Sequence, residues 1–315
     1  MPAIFDSLVK NQGLTEHVAW RVSFIVPFII ITAIAMGLLF TAEDTPNGSW
    51  ADRHRILEAV AVTPSNLSLK DGKDNTGKGS TEKVNVDMEA NIVQPSTIST
   101  AAAEIIVAPT FREAVSVVFS LQTLALAAPY ACSFGGELAI NSIIGTYYLK
   151  NFPKLGQTGS GRWAAMFGLL NVIFRPFGGV VADILYHYTK SIWVKKFWIV
   201  FCGISMGVFE LAIGLTDPHH EVTMFGLVAG LAIFMDASNG ANFAVVPHVH
   251  PFANGILSGV VGASGNLGGI IFAIIFRYHG KDYHKVIWII GAISVAVNVA
   301  CSWIRPVPKH QIGGR

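Results

Sequence analysis

Apolar residues in this chain fall in long unbroken runs rather than in alternation with polar ones. Residues 22–40 carry no charge, and 114–136 form a second run that continues past Glu137 to Leu149. Further runs occupy 163–182, broken by Arg175-Pro176, and 197–215, with Glu210 near its end. The last three are 222–247, with Asp236 midway, 253–276 and 286–304. A helix of ~20 apolar residues crosses the ~30 Å hydrocarbon core of a bilayer, whereas strands of a membrane barrel would alternate. The pattern predicts an all-α, polytopic membrane protein of seven transmembrane helices. Between the first two runs, residues 41–113 are of a different material. They open on Thr45-Pro46-Asn47-Gly48-Ser49, pass through Lys70-Asp71-Gly72-Lys73-Asp74-Asn75 and close in a Ser/Thr/Ala stretch. This segment reads as a flexible linker, with short helical turns compatible only near 53–60 and 101–107.

Composition sharpens the picture. Of the 315 residues, 52% are hydrophobic and 13% charged, against roughly 25% charged in a soluble domain. The charge is also uneven, because 41–113 holds seven of the 22 Lys/Arg and eleven of the 20 Asp/Glu. What remains is too little to cover a water-facing surface. That excludes a soluble enzyme, a secreted disulfide scaffold and a disordered chain, and a net charge of +2 gives no case for nucleic acid. Cys132, Cys202 and Cys301 each lie in an apolar run and read as small core hydrophobes. No cleavable signal peptide is expected, since Asp6, Lys10 and Glu16 interrupt the first twenty residues.

Seven helices also describe a seven-helix receptor; glycine argues for a transporter instead. Gly255, Gly259, Gly262, Gly265 and Gly269 follow steps of four, three, three and four, so they form one stripe. Such a stripe suits either a static close contact between helices or a helix that rocks against a neighbour.

Charges at membrane depth carry the chemistry. Arg175 at a helix centre costs roughly 2.5–3.5 kcal/mol on insertion scales, so it faces a cavity or a partner. Its forked guanidinium suits a planar oxyanion, with Asn171 one turn earlier as a further donor. The alternative is a structural pair with Glu137, Glu210 or Asp236. Tyr130, Phe134, Glu137 and Asn141 share a helix face and suit a solute pathway. Asp236, Asn239 and Phe243 form a shorter set. Glu210 stands apart and is expected to snorkel to a membrane surface or pair locally. His219-His220 and His248-x-His250 lack a third ligand at sensible spacing. No phosphate loop is present, so neither a metal nor a cofactor is expected.

Several of these motifs resemble a known family. Gly178-Gly179-Val180-Val181-Ala182-Asp183, followed by Lys190, Lys195 and Lys196, resembles the helix-loop signature of the major facilitator superfamily. Gly262-Ala263-Ser264-Gly265-Asn266-Leu267-Gly268-Gly269 resembles the second nitrate signature of its nitrate/nitrite porter family. Tyr130-x-x-x-Phe134-Gly135-Gly136-Glu137-Leu138 resembles that family's seventh helix, and Phe243-Ala244-Val245-Val246-Pro247 the end of its tenth. The resemblance implies helices six to twelve of such a transporter. Residues 1–40 would be an extracellular segment and the sixth helix, and 41–113 the cytoplasmic central loop. Residues 114–305 would be the C-terminal six-helix bundle, and 306–315 a cytoplasmic tail. It implies that Arg175 binds the anion, Tyr130 donates to it and Phe134 stacks on it. Asn266 and the glycines around it, Gly262, Gly265, Gly268 and Gly269, would carry the rocking of the eleventh helix. A proton-coupling role is inferred for Glu137.

The expected function is proton-coupled transport of nitrate or nitrite across the plasma membrane by alternating access. Helices one to five are absent from this pattern, so the chain is expected to be truncated and to need the missing N-terminal half to complete its cavity. A non-transporting membrane fragment, or a porter for another small anion, would share most of these motifs. Near-membrane Lys/Arg divide almost evenly between the two sides, which leaves orientation open. The sequons at Asn47 and Asn66 would report on it if glycosylated.

Overall fold

The computed structural model describes residues 2–42 and 109–308. The linker expected at 41–113, with its possible helical turns and sequons, lies almost wholly outside the described residues, as does most of the tail. The chain divides into two units, 1–24 with 108–315, and 25–107. In the second unit the described element is α3 (Ile25–Thr41), apolar along its whole length and without a buried residue.

The first unit begins with α1 (Pro2–Lys10) and α2 (Glu16–Ser23). It continues as α4 (Phe111–Val118), α5 (Leu121–Asn151), α6 (Gly156–Thr189) and α7 (Ile192–Thr216), then α8 (Glu221–Val249), α9 (Asn254–His279) and α10 (Tyr283–Ser302). Among the described residues, six helical stretches are long and apolar enough to cross a membrane, and seven if α4 and α5, bent by 54° at their junction, make one span. The seven runs read from the sequence correspond to these. The short α1 and α2 were not foreseen, because neither has an apolar run. Asp6 of α1 accepts a hydrogen bond from the Thr158 hydroxyl of α6.

Local signals explain the α4–α5 bend. Thr110 and Glu113 form a capping box that starts α4, and the Ser120 hydroxyl accepts from the Thr123 amide to start α5. A second N-cap two residues after the first helix ends turns one apolar stretch into two helices. Asp217 closes the opposite end. It ends α7 in the left-handed region at φ 37°, and it accepts from Tyr147 Oη at 2.7 Å and Asn151 Nδ2 at 3.0 Å of α5.

The helices pair as α5 with α9, α6 with α8, and α7 with α10, and each pair crosses on glycine. A Cβ on Gly240 of α8 would strike the Arg175 carbonyl oxygen, and one on Gly178 of α6 would strike the Ala237 carbonyl. A Cβ on Gly135 would lie 2.6 Å from the Gly268 and Gly269 backbone, and one on Gly268 would strike the Ala131 carbonyl. Bare backbones let the axes approach where lipid supplies no hydrophobic driving force between helices. Cys132, Cys202 and Cys301 are free and buried, as expected of small core residues.

Candidate anion site at a buried arginine

These crossings bring three helices, α5, α6 and α8, to one charged cluster. Arg175 leaves α6 at the contact with Gly240 and reaches Glu137 of α5, Nη2 to Oε2, at 2.5 Å. Asn171, one turn earlier on α6, donates to Glu137 Oε1 at 2.6 Å. Asn239, next to Gly240 on α8, donates to Glu137 Oε2 at 2.7 Å. Of the three partners that the sequence left open for Arg175, Glu137 is the one that the fold supplies.

The pairing does not bury the arginine. Its side chain remains 34% exposed, against 13% for Glu137. The guanidinium carbon lies 5.5 Å from the centre of the Phe134 ring, within cation–π range. One face of Phe134 is taken by Tyr130, stacked at 5.3 Å and 6°, and Phe243 meets Tyr130 edge-on at 5.2 Å. Both stacked rings fit because α9 presents Gly265 to them: a Cβ there would come within 2.7 Å of each. Ser264 ties the same helix to α5 by donating to the Ala127 carbonyl at 2.8 Å.

Not every sequence candidate joins this site. Tyr130, Phe134, Glu137 and Asn171 do, but Asn171 is engaged by Glu137 rather than free for a ligand. Asn141 is exposed. The glycine stripe is only partly a contact. Gly265, Gly268 and Gly269 lie against α5, whereas a Cβ on Gly255, Gly259 or Gly262 meets nothing within 4 Å among the described residues. Asn266 is exposed and donates to the Gly262 carbonyl of its own helix at 3.0 Å. Glu210 does not snorkel: it is fully buried between α7 and α10, where Gly291 gives it room. Asp236 is equally closed, 1% exposed, and neither of its carboxyl oxygens has a hydrogen-bond partner among the described residues. The parts of Asn239 and Gly240 were missed. The step of three from Asp236 to Asn239 was the available signal, but it did not say which neighbouring helix they face.

The helix-loop signature forms a separate cluster. Lys195 is buried and donates to Asp183 Oδ1 at 2.7 Å and to the Ala244 carbonyl at 3.1 Å, with His248 Nε2 at 2.9 Å. Gly178 and Gly179 supply the adjoining approach to α8. No group of three His, Cys, Asp or Glu that could hold a metal occurs among the described residues.

Chemically, the α5–α6–α8 cluster is a fixed cation held by an internal carboxylate, with a flat ring beside it and a third of the arginine side chain exposed. Such a group can exchange its internal partner for an external planar anion.

No family model matches. The chain is 41% identical over 310 residues to elsinochrome transporter 1 of Elsinoe fawcettii, an alignment covering 92% of this chain and 61% of that protein. It is 28% identical to high affinity nitrate transporter 2.5 of Arabidopsis thaliana, covering 95% of this chain and 50% of the relative. It is 25% identical to nitrate transporter 2.2 of Chlamydomonas reinhardtii, covering 96% and 51%. The chain thus spans about half to three-fifths of the length of these relatives. Its homologues are membrane transporters, most of them nitrate transporters, which agrees with the resemblance read from the motifs.

Proposed function

We propose, from this kinship with nitrate transporters, that the chain forms the C-terminal part of a plasma-membrane porter for nitrate and nitrite. In this reading residues 114–305 are the C-terminal six-helix bundle, 1–40 contribute the preceding helix, and 41–113 form a cytoplasmic connecting loop. An N-terminal half completes the cavity, and alternating access arises as the two halves rock.

The observation that carries the reading is the state of Arg175: paired with Glu137, still one-third exposed, and set against the Phe134 ring. A permanently charged fork held by a single carboxylate is ready to exchange that partner for an incoming oxyanion. Glu137 then acts as an internal competitor, which keeps the cation satisfied when the site is empty and lowers the cost of releasing the anion. Phe134, with one face covered by Tyr130, offers what remains of its surface to the anion's plane. Asn171 and Asn239 hold Glu137 in place and become free donors when it moves. Uptake of a proton with each anion keeps the cluster's charge constant through the cycle.

A second reading is favoured by one observation, the 41% identity to a protein named for elsinochrome. The same scaffold would then serve a different solute. Uptake of labelled nitrite and nitrate by the chain in liposomes, alone and with its N-terminal complement, separates the two. Uptake that is driven by an imposed proton gradient and lost in Arg175→Ala supports the first reading. No uptake of either anion by a folded, complemented protein overturns it in favour of the second.

A further inference from the structure

Asp236 is a buried acid with no part in the proposed anion site, and unlike the buried Glu210 it stands next to the arginine cluster. It stands on α8 one turn before Asn239, beside the glycine crossing that holds Arg175, and it is 1% exposed. Around Glu137 every identified partner is a donor, namely Asn171, Arg175 and Asn239. Three donors suit an ionised carboxylate, whereas a protonated one would need an acceptor. Asp236 has the opposite surroundings, with both carboxyl oxygens buried and neither meeting a donor among the described residues. Burying a lone carboxylate costs several kcal/mol, while a neutral acid loses far less. The charged groups acting on it are Glu137 from α5 and Arg175 from α6. The acid of α7, Glu210, lies instead near Ser294 of α10, away from the arginine, and its carboxyl oxygens likewise have no hydrogen-bond partner among the described residues; α9 carries no charge between Asn254 and Phe276.

One guanidinium therefore serves two carboxyls, and Glu137 holds it. We infer that Asp236 is the proton-binding site of this cluster, and that its proton must be in place before an anion can join Arg175. With Asp236 ionised, the cluster of Glu137, Asp236 and Arg175 is net negative and repels an anion. With Asp236 protonated the cluster is neutral. By linkage, a bound anion must in turn tighten the hold on that proton by the same factor. The proton arrives from water and returns to it, with no redox partner or covalent step. The inference rests on the proposed anion site and assigns to Asp236 the coupling role that the motifs suggested for Glu137.

Infrared difference spectroscopy on the purified chain in lipid tests this without requiring transport. A protonated buried carboxylic acid gives a C=O stretching band that moves on deuteration and is lost when the acid becomes an amide. The expected result is a band component that disappears in Asp236→Asn and persists in Glu137→Gln. Glu210→Gln identifies any component due to the other buried acid. On titration, saturating nitrate shifts the midpoint of the Asp236 component upward by at least one pH unit. A component that persists in Asp236→Asn and vanishes in Glu137→Gln overturns the inference, and so does the absence of any component lost in Asp236→Asn. Arg175→Ala separates the two proposals: a retained band without the nitrate shift is expected. A retained nitrate shift in that variant would defeat the anion site while leaving the proton site standing.

Discussion

Replacing Glu137 with Gln isolates the competition at the centre of this account. The substitution keeps the side chain's size and one acceptor oxygen, enough for Asn171 or Asn239 but not both, since they meet different carboxyl oxygens, and it removes the charge facing Arg175 at 2.5 Å. Two consequences of opposite sign follow. Breaking a fully buried pair from one side costs about 3–5 kcal/mol. The Arg175 side chain is 34% exposed, so water recovers part of that, and a loss of about 1–3 kcal/mol in stability is expected after this discount. An anion approaching Arg175, however, no longer has to displace a carboxylate. Two unit charges 4 Å apart interact by about 4 kcal/mol at an effective dielectric of 20. Recovering a third to a half of that would tighten anion binding roughly 10- to 30-fold, at 1.4 kcal/mol per factor of ten. Nitrate titrated calorimetrically into the purified chain measures the second effect, and thermal unfolding in the same detergent measures the first. The expected variant is less stable and binds more tightly. A Glu137→Gln protein that is folded yet binds nitrate more weakly than wild type would refute the competition and make Glu137 part of the anion site.

Three further outcomes follow from the packing and the termini. Gly240→Ala places a methyl group against the Arg175 carbonyl; overpacking of this kind costs about 1–3 kcal/mol, and a shift of α6 should weaken nitrate binding in the same titration. Gly262→Ala, where a Cβ meets nothing within 4 Å, should leave the stability of the isolated chain within about 0.5 kcal/mol, whereas Gly265→Ala, which crowds Tyr130 and Phe134, should lower it measurably in the same unfolding assay. Burial pushes the Asp217 carboxyl up, but hydrogen bonds from Tyr147 and Asn151 and the nearby His284 and His219 outweigh it and hold the acid below its ordinary value. A group depressed on folding contributes stability above its unfolded pKa and loses it as pH falls through the folded one. Thermal stability should therefore drop more for wild type than for Asp217→Asn between neutral pH and about pH 3, and equal drops would exclude this role.

The spans were legible because hydrocarbon demands a contiguous run, a one-dimensional property. The bend at Phe119–Ser120 was written in the N-cap residues Thr110, Glu113, Ser120 and Thr123, but inside an apolar stretch a cap is easily read as another small polar residue. Arg175 announced itself, since a charge at that depth needs a reason. Its partner did not, because Glu137, Glu210 and Asp236 lie on three different helices and the choice depends on interhelical register. That register is fixed by Gly240 against Arg175 and Gly135 against Gly268, contacts that local periodicity does not encode. The same limit explains Glu210, whose burial depends on the room left by Gly291, and the open end of the stripe at Gly255, Gly259 and Gly262.

The claim on which the rest depends is that the guanidinium of Arg175 is where the anion binds. Titrating labelled nitrate into the purified chain, into Arg175→Ala and into Arg175→Lys tests it most directly. Saturable binding by wild type is expected, weakened roughly 10- to 100-fold when the fork is replaced by a point charge and absent when the charge is removed. Binding of undiminished affinity in the folded Arg175→Ala protein would contradict it.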